Sequence, residues 1–319
     1  MSLLQAVDLV KHYGGDGVFF GGGRRKIRAV DGVSLFLSRG ETLGLVGESG
    51  CGKSTLGRLL LRLEEPTAGK IFFAGEDITA WTGKRLRALR RRIQIIFQDS
   101  GSSLNGRQKV GAILEEPLAN FGMEKARRRK RVLELLATVG LEPEHALRYP
   151  HEFSGGQRQR INIARALALQ PDLIVCDEPV SSLDVSIRAQ VLNLLHELKK
   201  RFGLSYLFIS HDLASVHYLA DRVAVMYLGR IVEVLTVRGL LGNALHPYTR
   251  ALLAAVPVPD PQRGAFYREA IQGEPPDPGR PPAGCRFHPR CPCVRDQCRG
   301  VEPVLRDVAP GHKVACHFV

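Results

Sequence analysis

Residues 42–63 read TLGLVGESGCGKSTLGRLLLRL. The opening apolar run, TLGLVG, suits a buried strand, the closing STLGRLLLRL suits a helix, and between them Gly47 to Ser54 satisfies G-x-x-x-x-G-K-S/T at every fixed position. A strand that enters a glycine loop and leaves it as a helix presents several backbone N–H groups to one anion. Gly47, Gly50 and Gly52 let the backbone close on phosphate oxygens, and the helix dipole adds a favourable potential. Lys53 is placed to reach the β- and γ-phosphates of a nucleotide, and the Ser54 hydroxyl to ligate Mg²⁺. With Ser49, Cys51 and Thr55 these residues form the candidate nucleotide-binding set; Cys51 also reads as a packing residue within the loop.

Further along, DLIVCDE (172–178) has four apolar residues followed by an acidic pair. A buried strand delivers Asp177 and Glu178 at its C-terminal edge, where open α/β sheets bind ligands. Asp177 is expected to hold the metal through water, and Glu178 to polarise an attacking water as general base. A second β-type run, SYLFISHD (205–212), follows the helical SIRAQVLNLLHELKKRFG (186–203), where Ile187, Val191, Leu194, Leu195, Leu198 and Phe202 share one face and Gly203 is placed to cap the end. Strands alternating with helices predict a mainly parallel sheet with helices packed on it. The first ninety residues read as short strands and turns with a Gly-rich interruption at 14–26, a hairpin tip or insertion, and from about 98 to 170 the pattern is mostly helical. Beyond 240 the composition changes: twelve of the nineteen prolines fall between Pro257 and Pro310, which predicts a segment without a regular core of its own, either disordered or stapled.

A second anion-binding helix start lies at FSGGQRQRINIARALALQP (153–171), with Ser154 as N-cap, two glycines exposing the next amides, and Pro171 beyond the helix end. One nucleotide does not need two such sites. Here the chain resembles the ATP-binding cassette proteins, whose signature is LSGGQ-like, with Phe153 standing for the usual leucine. The resemblance covers about residues 3 to 240. It implies an α/β P-loop NTPase cassette: a RecA-like core, an antiparallel β subdomain and a helical signature subdomain over about 98–165, together spanning 1–240. It also implies head-to-tail dimers in which Ser154, Gly155, Gly156 and Gln157 of one cassette complete the ATP site of the other, with Asp184 of SSLD crossing the dimer. Gln98 of IIFQDS resembles the loop glutamine that senses Mg²⁺ and the γ-phosphate, and His211 of ISHD the switch histidine on the γ-phosphate. Tyr13 of KHYGG resembles the aromatic that stacks on adenine, with Phe19 and Phe20 as its rivals.

Only about a hundred residues separate Lys53 from Ser154, which leaves no room for the coiled coil of chromosome-maintenance ATPases, and one motif set argues against double-cassette translation factors. SSLNGRQKVGAILEEPL (102–118), SSLDVSIRAQVLNLL (181–195) and HPYTRALLAAVP (246–257) are similar to the ATPase subunits of bacterial dipeptide and oligopeptide importers, a group that includes nickel and glutathione systems, and most of all to the F-type partner of a two-ATPase pair. The chain departs from that pattern in lacking a proline after Gln98-Asp99 and in reading Asn105-Gly106-Arg107 where the group has Asn-Pro-Arg. The resemblance implies two transmembrane permeases, a second and paralogous ATPase, an extracytoplasmic peptide-binding protein, and a peripheral place on the cytoplasmic face of the bacterial inner membrane.

The remaining numbers fit. The chain has 319 residues, 44% hydrophobic and 24% charged, enough for one large domain plus an appendage. No apolar run reaches the eighteen or so residues of a membrane span, and MSLLQAVDLVKHYGG carries no signal-peptide pattern. A net charge of +13 with clusters KRLRALRRR (84–92) and RRRKR (127–131) invites a nucleic-acid reading, but Val132, Leu135, Leu136 and Val139 follow helical spacing and make the second cluster the solvated side of a buried stripe. Nucleic acid is therefore not expected as a partner, and an anionic membrane surface suits the charge better. Four of seven cysteines lie in GCRFHPRCPCVRDQC (284–298), and a reducing compartment turns them toward metal or redox chemistry. The importer resemblance implies a 4Fe–4S cluster on Cys285, Cys291, Cys298 and Cys316, with zinc as the alternative, aided by His288, His312 or His317, and Cys293 as a spare thiol. Cys176 reads as strand packing.

Overall fold

A computed structural model of the chain describes residues 2–14, 26–98, 101, 103–255 and 273–319. Phe19, Phe20 and all of the Gly-rich stretch but its edges lie outside the described residues. The chain divides into two compact units: 1–38, 42–80 and 210–319 form one, and 39–41 with 81–209 form the other.

The first unit begins with strands β1 (Ser2–Tyr13) and β2 (Ile27–Ser38), paired antiparallel with Tyr13 opposite Ile27. In β2 the buried Val33, Leu35 and Leu37 alternate with exposed Ser34 and Phe36, the pattern of a sheet covered on one face. β4 (Ala68–Phe73) pairs with the other edge of β1, and β5 (Glu76–Asp77) with β4. At twelve residues each, β1 and β2 are longer than the short strands expected. The reason lies in β1, where the register shifts between Ala6 and Leu9 and Asp8 takes φ 46; such a bulge breaks the period of two by which a long strand is recognised.

A second set of strands carries the glycine loop. β3 (Thr42–Val46), buried at all five positions, runs parallel to β9 (Arg222–Tyr227), which turns back as β10 (Arg230–Thr236). Helix α1 (Lys53–Leu60) leaves the loop, and α7 (Leu213–Leu219), α8 (Val237–Asn243), α9 (Pro247–Ala254) and the short α10 (Asp296–Gly300) follow in order. The proline-rich tail is more regular than its composition suggests. Its hairpin β11 (Arg306–Ala309) and β12 (His312–Val314) extends β10, with Glu233 opposite Val314, and Phe287, Cys298, Val314 and Ala315 are buried. An ionic cluster ties it further: Asp31 of β2 accepts from Arg286 and lies 3.0 Å from His12 Nε2 and 3.7 Å from Arg230, while the second terminal nitrogen of Arg286 donates to the Leu228 carbonyl.

In the second unit β6 (Ile93–Ile96), β7 (Leu173–Asp177) and β8 (Ser205–Ile209) are parallel, and every residue of β7 and β8 is buried, as strands covered on both faces must be. Around them lie α2 (Gly83–Arg92), α3 (Val110–Asn120), α4 (Lys125–Thr138), α5 (Gly155–Leu167) and α6 (Val185–Phe202). α4 buries Val132, Leu135 and Leu136 while Arg127, Arg129 and Lys130 stay exposed, so that basic run is a solvated face. α6 buries Val191, Leu194, Leu195 and Leu198 as expected, but Phe202 is 43% exposed beneath the Arg201 guanidinium. It sits next to Gly203, whose left-handed φ of 64 turns the chain out of the helix before the face is complete. Among the described residues no helix is long and apolar enough to cross a membrane.

Candidate functional site

In the first unit the loop 47–54 has the geometry of an anion cradle. Gly47, Gly50 and Gly52 all have positive φ, and a Cβ on Gly47 would stand 2.2 Å from the Met226 carbonyl oxygen. Lys53 is folded over the loop, its Nζ donating to the carbonyls of Gly47 at 2.7 Å and Glu48 at 2.9 Å, with the side chain buried. A lysine so placed closes the loop and leaves its charge where an incoming phosphate would meet it. Ser49 and Gly50 are exposed at the loop tip, and Ser54 and Thr55 half-buried in the first turn of α1. Cys51 points inward, burial pushes its thiol pKa up, and its carbonyl accepts from the Gly229 N–H at 2.9 Å, which suits the packing role.

Tyr13 ends β1 with its hydroxyl on the Glu64 carboxylate and in hydrogen-bond contact with Thr55. Its ring carries Lys11 Nζ at 5.2 Å from the centroid. Burial and the Glu64 hydrogen bond raise its pKa. His211 is exposed just beyond β8, in front of Asp212, which caps α7 by accepting from the Ala214 N–H.

In the second unit β7 ends in Asp177, buried, and Glu178, half-buried. Glu178 adopts φ 48, rare for a residue with a side chain, and is held there by its N–H on the Ile209 carbonyl at 2.9 Å and by Ser181 Oγ on its own carbonyl at 3.1 Å. Gln98 follows β6, and its Nε2 donates to Glu178 Oε2 at 3.2 Å. Two candidates eighty positions apart are thus brought together.

At α5, Ser154 Oγ accepts from the Gln157 N–H at 3.3 Å and Gln157 Oε1 from the Ser154 N–H at 3.0 Å, a complete capping box. Gly156 packs so tightly that a Cβ would lie 2.4 Å from Ile187 Cγ2, and Phe153 is buried edge-on to His145. Asp184 is exposed as the residue before α6.

The tail cysteines line one cavity of about 310 Å³ in the first unit: Cys285, Cys291, Cys298 and Cys316, with Cys293 and the rings of Phe287 and Phe318. All seven cysteines are free thiols. Burial, then the neighbouring cysteines, raise the pKa of Cys285, and burial takes Cys291 to about 11. Among the described residues no three His, Cys, Asp or Glu side chains are grouped to hold a metal ion. Each of the three histidines of the zinc alternative has a ring nitrogen on another partner: His288 Nδ1 lies 2.9 Å from the Cys285 carbonyl, His312 Nε2 2.8 Å from Glu233 and His317 Nε2 2.9 Å from the Val301 carbonyl.

Sequence reasoning missed the groups that hold the loop from below. The Glu48 N–H donates to Tyr248 Oη at 2.9 Å, and Tyr248 is fully buried against Tyr227 and Phe287, at 4.6 and 5.3 Å between ring centroids. His246 Nδ1 accepts from the Tyr248 N–H at 3.1 Å, and the buried Glu233 takes the N–H groups of Leu245 and His246. The His-Pro-Tyr run was visible; its place beneath the loop was not.

Comparison with known proteins places the chain in a family. Residues 30–181 match the family described as ABC transporter, and residues 232–298 the one described as oligopeptide/dipeptide transporter, C-terminal region. The oligopeptide transport ATP-binding protein AppF of Bacillus subtilis is 55% identical over 92% of this chain and 90% of its own. The dipeptide transport ATP-binding protein DppF of Escherichia coli is 52% identical over 99% and 94%. Among solved structures, cbiO1 of Clostridium perfringens, part of the ABC transporter complex cbiONQ, has a TM-score of 0.66 at 28% identity, covering 76% of this chain and 91% of its own. The dimeric post-hydrolysis cassette MJ0796 bound to ADP and Pi has 0.65 at 29%, covering 74% and 99%.

Proposed function

The chain belongs to the ATP-binding proteins of ABC transporters, and from that membership we propose that it is the ATP-hydrolysing subunit of a bacterial importer of di- and oligopeptides. The observation that carries the substrate is the match of residues 232–298 to the peptide-transporter C-terminal region, alongside 52–55% identity to peptide-transport subunits. Residues 1–240 serve as the cassette, with the helical subdomain at about 98–165, and 241–319 as the extension.

In this reading Lys53 and the loop amides bind the β- and γ-phosphates, Tyr13 stacks on adenine and His211 contacts the γ-phosphate. Ser54, Gln98 and Asp177 would hold Mg²⁺, which neutralises charge on the phosphates. Glu178 accepts a proton from water as the water oxygen bonds to the γ-phosphorus; the bond to the β–γ bridging oxygen breaks and ADP leaves with the electron pair. Ser154, Gly155, Gly156, Gln157 and Asp184 serve the nucleotide of a second, paralogous ATPase. The full assembly adds two permeases and an extracytoplasmic peptide-binding protein, with this chain peripheral on the cytoplasmic face of the inner membrane.

Cys285, Cys291, Cys298 and Cys316 would hold a 4Fe–4S cluster, which would give the tail one fixed geometry. The support is a cavity lined by all four thiols. Anaerobically purified protein is expected to carry about four irons per chain, lost in Cys291→Ser; stoichiometric zinc overturns this.

The test of function is the reconstituted transporter. ATP-dependent uptake of labelled peptides is expected, and Glu178→Gln should bind MgATP yet stop turnover. Uptake of nickel and no peptide overturns the substrate; undiminished ATPase in the variant overturns the role of Glu178.

A further inference from the structure

The cysteine-rich tail reaches the phosphate loop at Glu48. Glu48, next to Gly47, takes a hydrogen bond from each terminal nitrogen of Arg290: Nη1 to Oε2 at 2.7 Å and Nη2 to Oε1 at 2.9 Å. The Arg290 side chain is 6% exposed and that of Glu48 24%, so solvent screens the pair poorly. The guanidinium also lies over the Tyr227 ring, 5.9 Å from its centroid. Arg290 ends a short 3₁₀ turn, His288–Arg290, that leads directly into Cys291, whose N–H donates to the His288 carbonyl at 3.3 Å. The turn is flanked by Cys285 and Cys291 of the cysteine-lined cavity.

A carboxylate inside a loop that receives a polyphosphate is an electrostatic liability. Every favourable contact there, from the amides to Lys53, serves to attract negative charge, and Glu48 opposes it. Arg290 cancels that charge with the bidentate geometry in which guanidinium groups bind carboxylates most strongly. It also fixes the side chain of a residue whose backbone carbonyl accepts from Lys53 and whose N–H is held by Tyr248.

We infer that Arg290 is a positioning residue of the ATP site: by neutralising and fixing Glu48, it makes the affinity of the phosphate loop for nucleotide depend on the cysteine-rich tail. The inference rests on the assignment of the 47–54 loop as the ATP site. Displacing the turn before Cys291 moves the guanidinium, so a disturbance in the cysteine cavity is felt by the loop.

The test is calorimetric titration of MgATP into the full chain, wild type and variants, with metal content measured on each. Arg290→Met should weaken binding about tenfold, or about 1.4 kcal/mol. Arg290→Lys, which keeps the charge and loses the fork, should weaken it by less. Adding Glu48→Gln to Arg290→Met should recover most of the loss, because the uncompensated carboxylate is then gone; a simple packing defect would not be rescued. Equal affinity in Arg290→Met and wild type, or failure of the double variant to recover, overturns the inference while leaving the ATP site standing. A wild-type chain that binds no MgATP overturns the ATP-site reading, and this inference with it.

Discussion

Gly52→Ala tests whether the loop geometry is set by steric necessity. Gly52 has φ 106, and a Cβ there would lie 2.0 Å from the Ala29 carbonyl oxygen and 3.0 Å from Met226 Cε. Ordinary contact begins at 3.4 Å, so loop and strand must separate by about 1.4 Å. The obstacle is backbone. Ala29 belongs to β2, whose neighbouring residues Arg28 and Val30 pair with His12 and Lys11 of β1, so the carbonyl cannot swing aside as a side chain would. The left-handed conformation costs an L-residue about 1–2 kcal/mol, and forced overpacking a further ~1–3 kcal/mol. The expected loss is about 2–5 kcal/mol, against a typical total stability of ~5–15 kcal/mol. Gly50→Ala is the matched control, for Gly50 has φ 78 but nothing within 4 Å of its Cβ. It should lose only the conformational part, about 1–2 kcal/mol. Denaturant unfolding of both variants, with and without MgATP, measures the difference. A hundredfold excess of MgATP over Kd should stabilise the wild type by about 2.7 kcal/mol, and Gly52→Ala far less. Equal stability of the two variants, with MgATP stabilising both alike, would refute the steric argument.

Asp31→Ala should destabilise by about 1–3 kcal/mol in denaturant unfolding, since it takes the hydrogen-bonded carboxylate from Arg286, 7% exposed, and leaves it only the more distant Glu302 at 3.6 Å. Burial works against the Asp31 charge, but the hydrogen bond and charge of Arg286, with His12 and Arg230, outweigh it and hold the pKa below 3.8. That contribution is full above pH 3.8 and lost as pH falls through the lower folded value, so Asp31→Asn should flatten the acid limb of a stability profile. Burial lowers the His246 pKa from 6.5 to about 4, only partly opposed by a backbone hydrogen bond to Ala315. The unfolded chain therefore binds this proton first, and stability should fall by roughly 3 kcal/mol as pH drops from 6.5 to about 4. His246→Asn should remove that dependence from thermal unfolding midpoints measured across the window.

Local chemistry was readable in the sequence wherever one segment contains the whole cause. The loop needs a strand, three glycines and a helix start within one stretch, and the Ser154–Gln157 capping box lies within four residues. Gly203 marked the end of α6 because a left-handed residue is what ends a helix there. Where the cause lies in a distant partner, residue patterns are silent. Tyr248 and Arg290 meet Glu48 from 200 and 242 positions away, and nothing in HPYTRALL or FHPRC marks a side chain destined for the glycine loop. The tail misled for a related reason: judged alone its prolines leave no core, yet β12 needs only the free edge of β10 to become a strand. At Tyr13 no residue pattern pointed to Lys11 above the ring or to Glu64 on its hydroxyl.

The dependence of Glu48 on partners so far along the chain also sets an order of events during synthesis. At about 5–20 residues per second, a ribosome needs roughly 12–48 s to travel the 242 positions from Glu48 to Arg290. For the larger part of that interval β3 lacks even its parallel neighbour β9, since Leu43 pairs with Arg222. The nascent loop therefore emerges early and gains its last partner late.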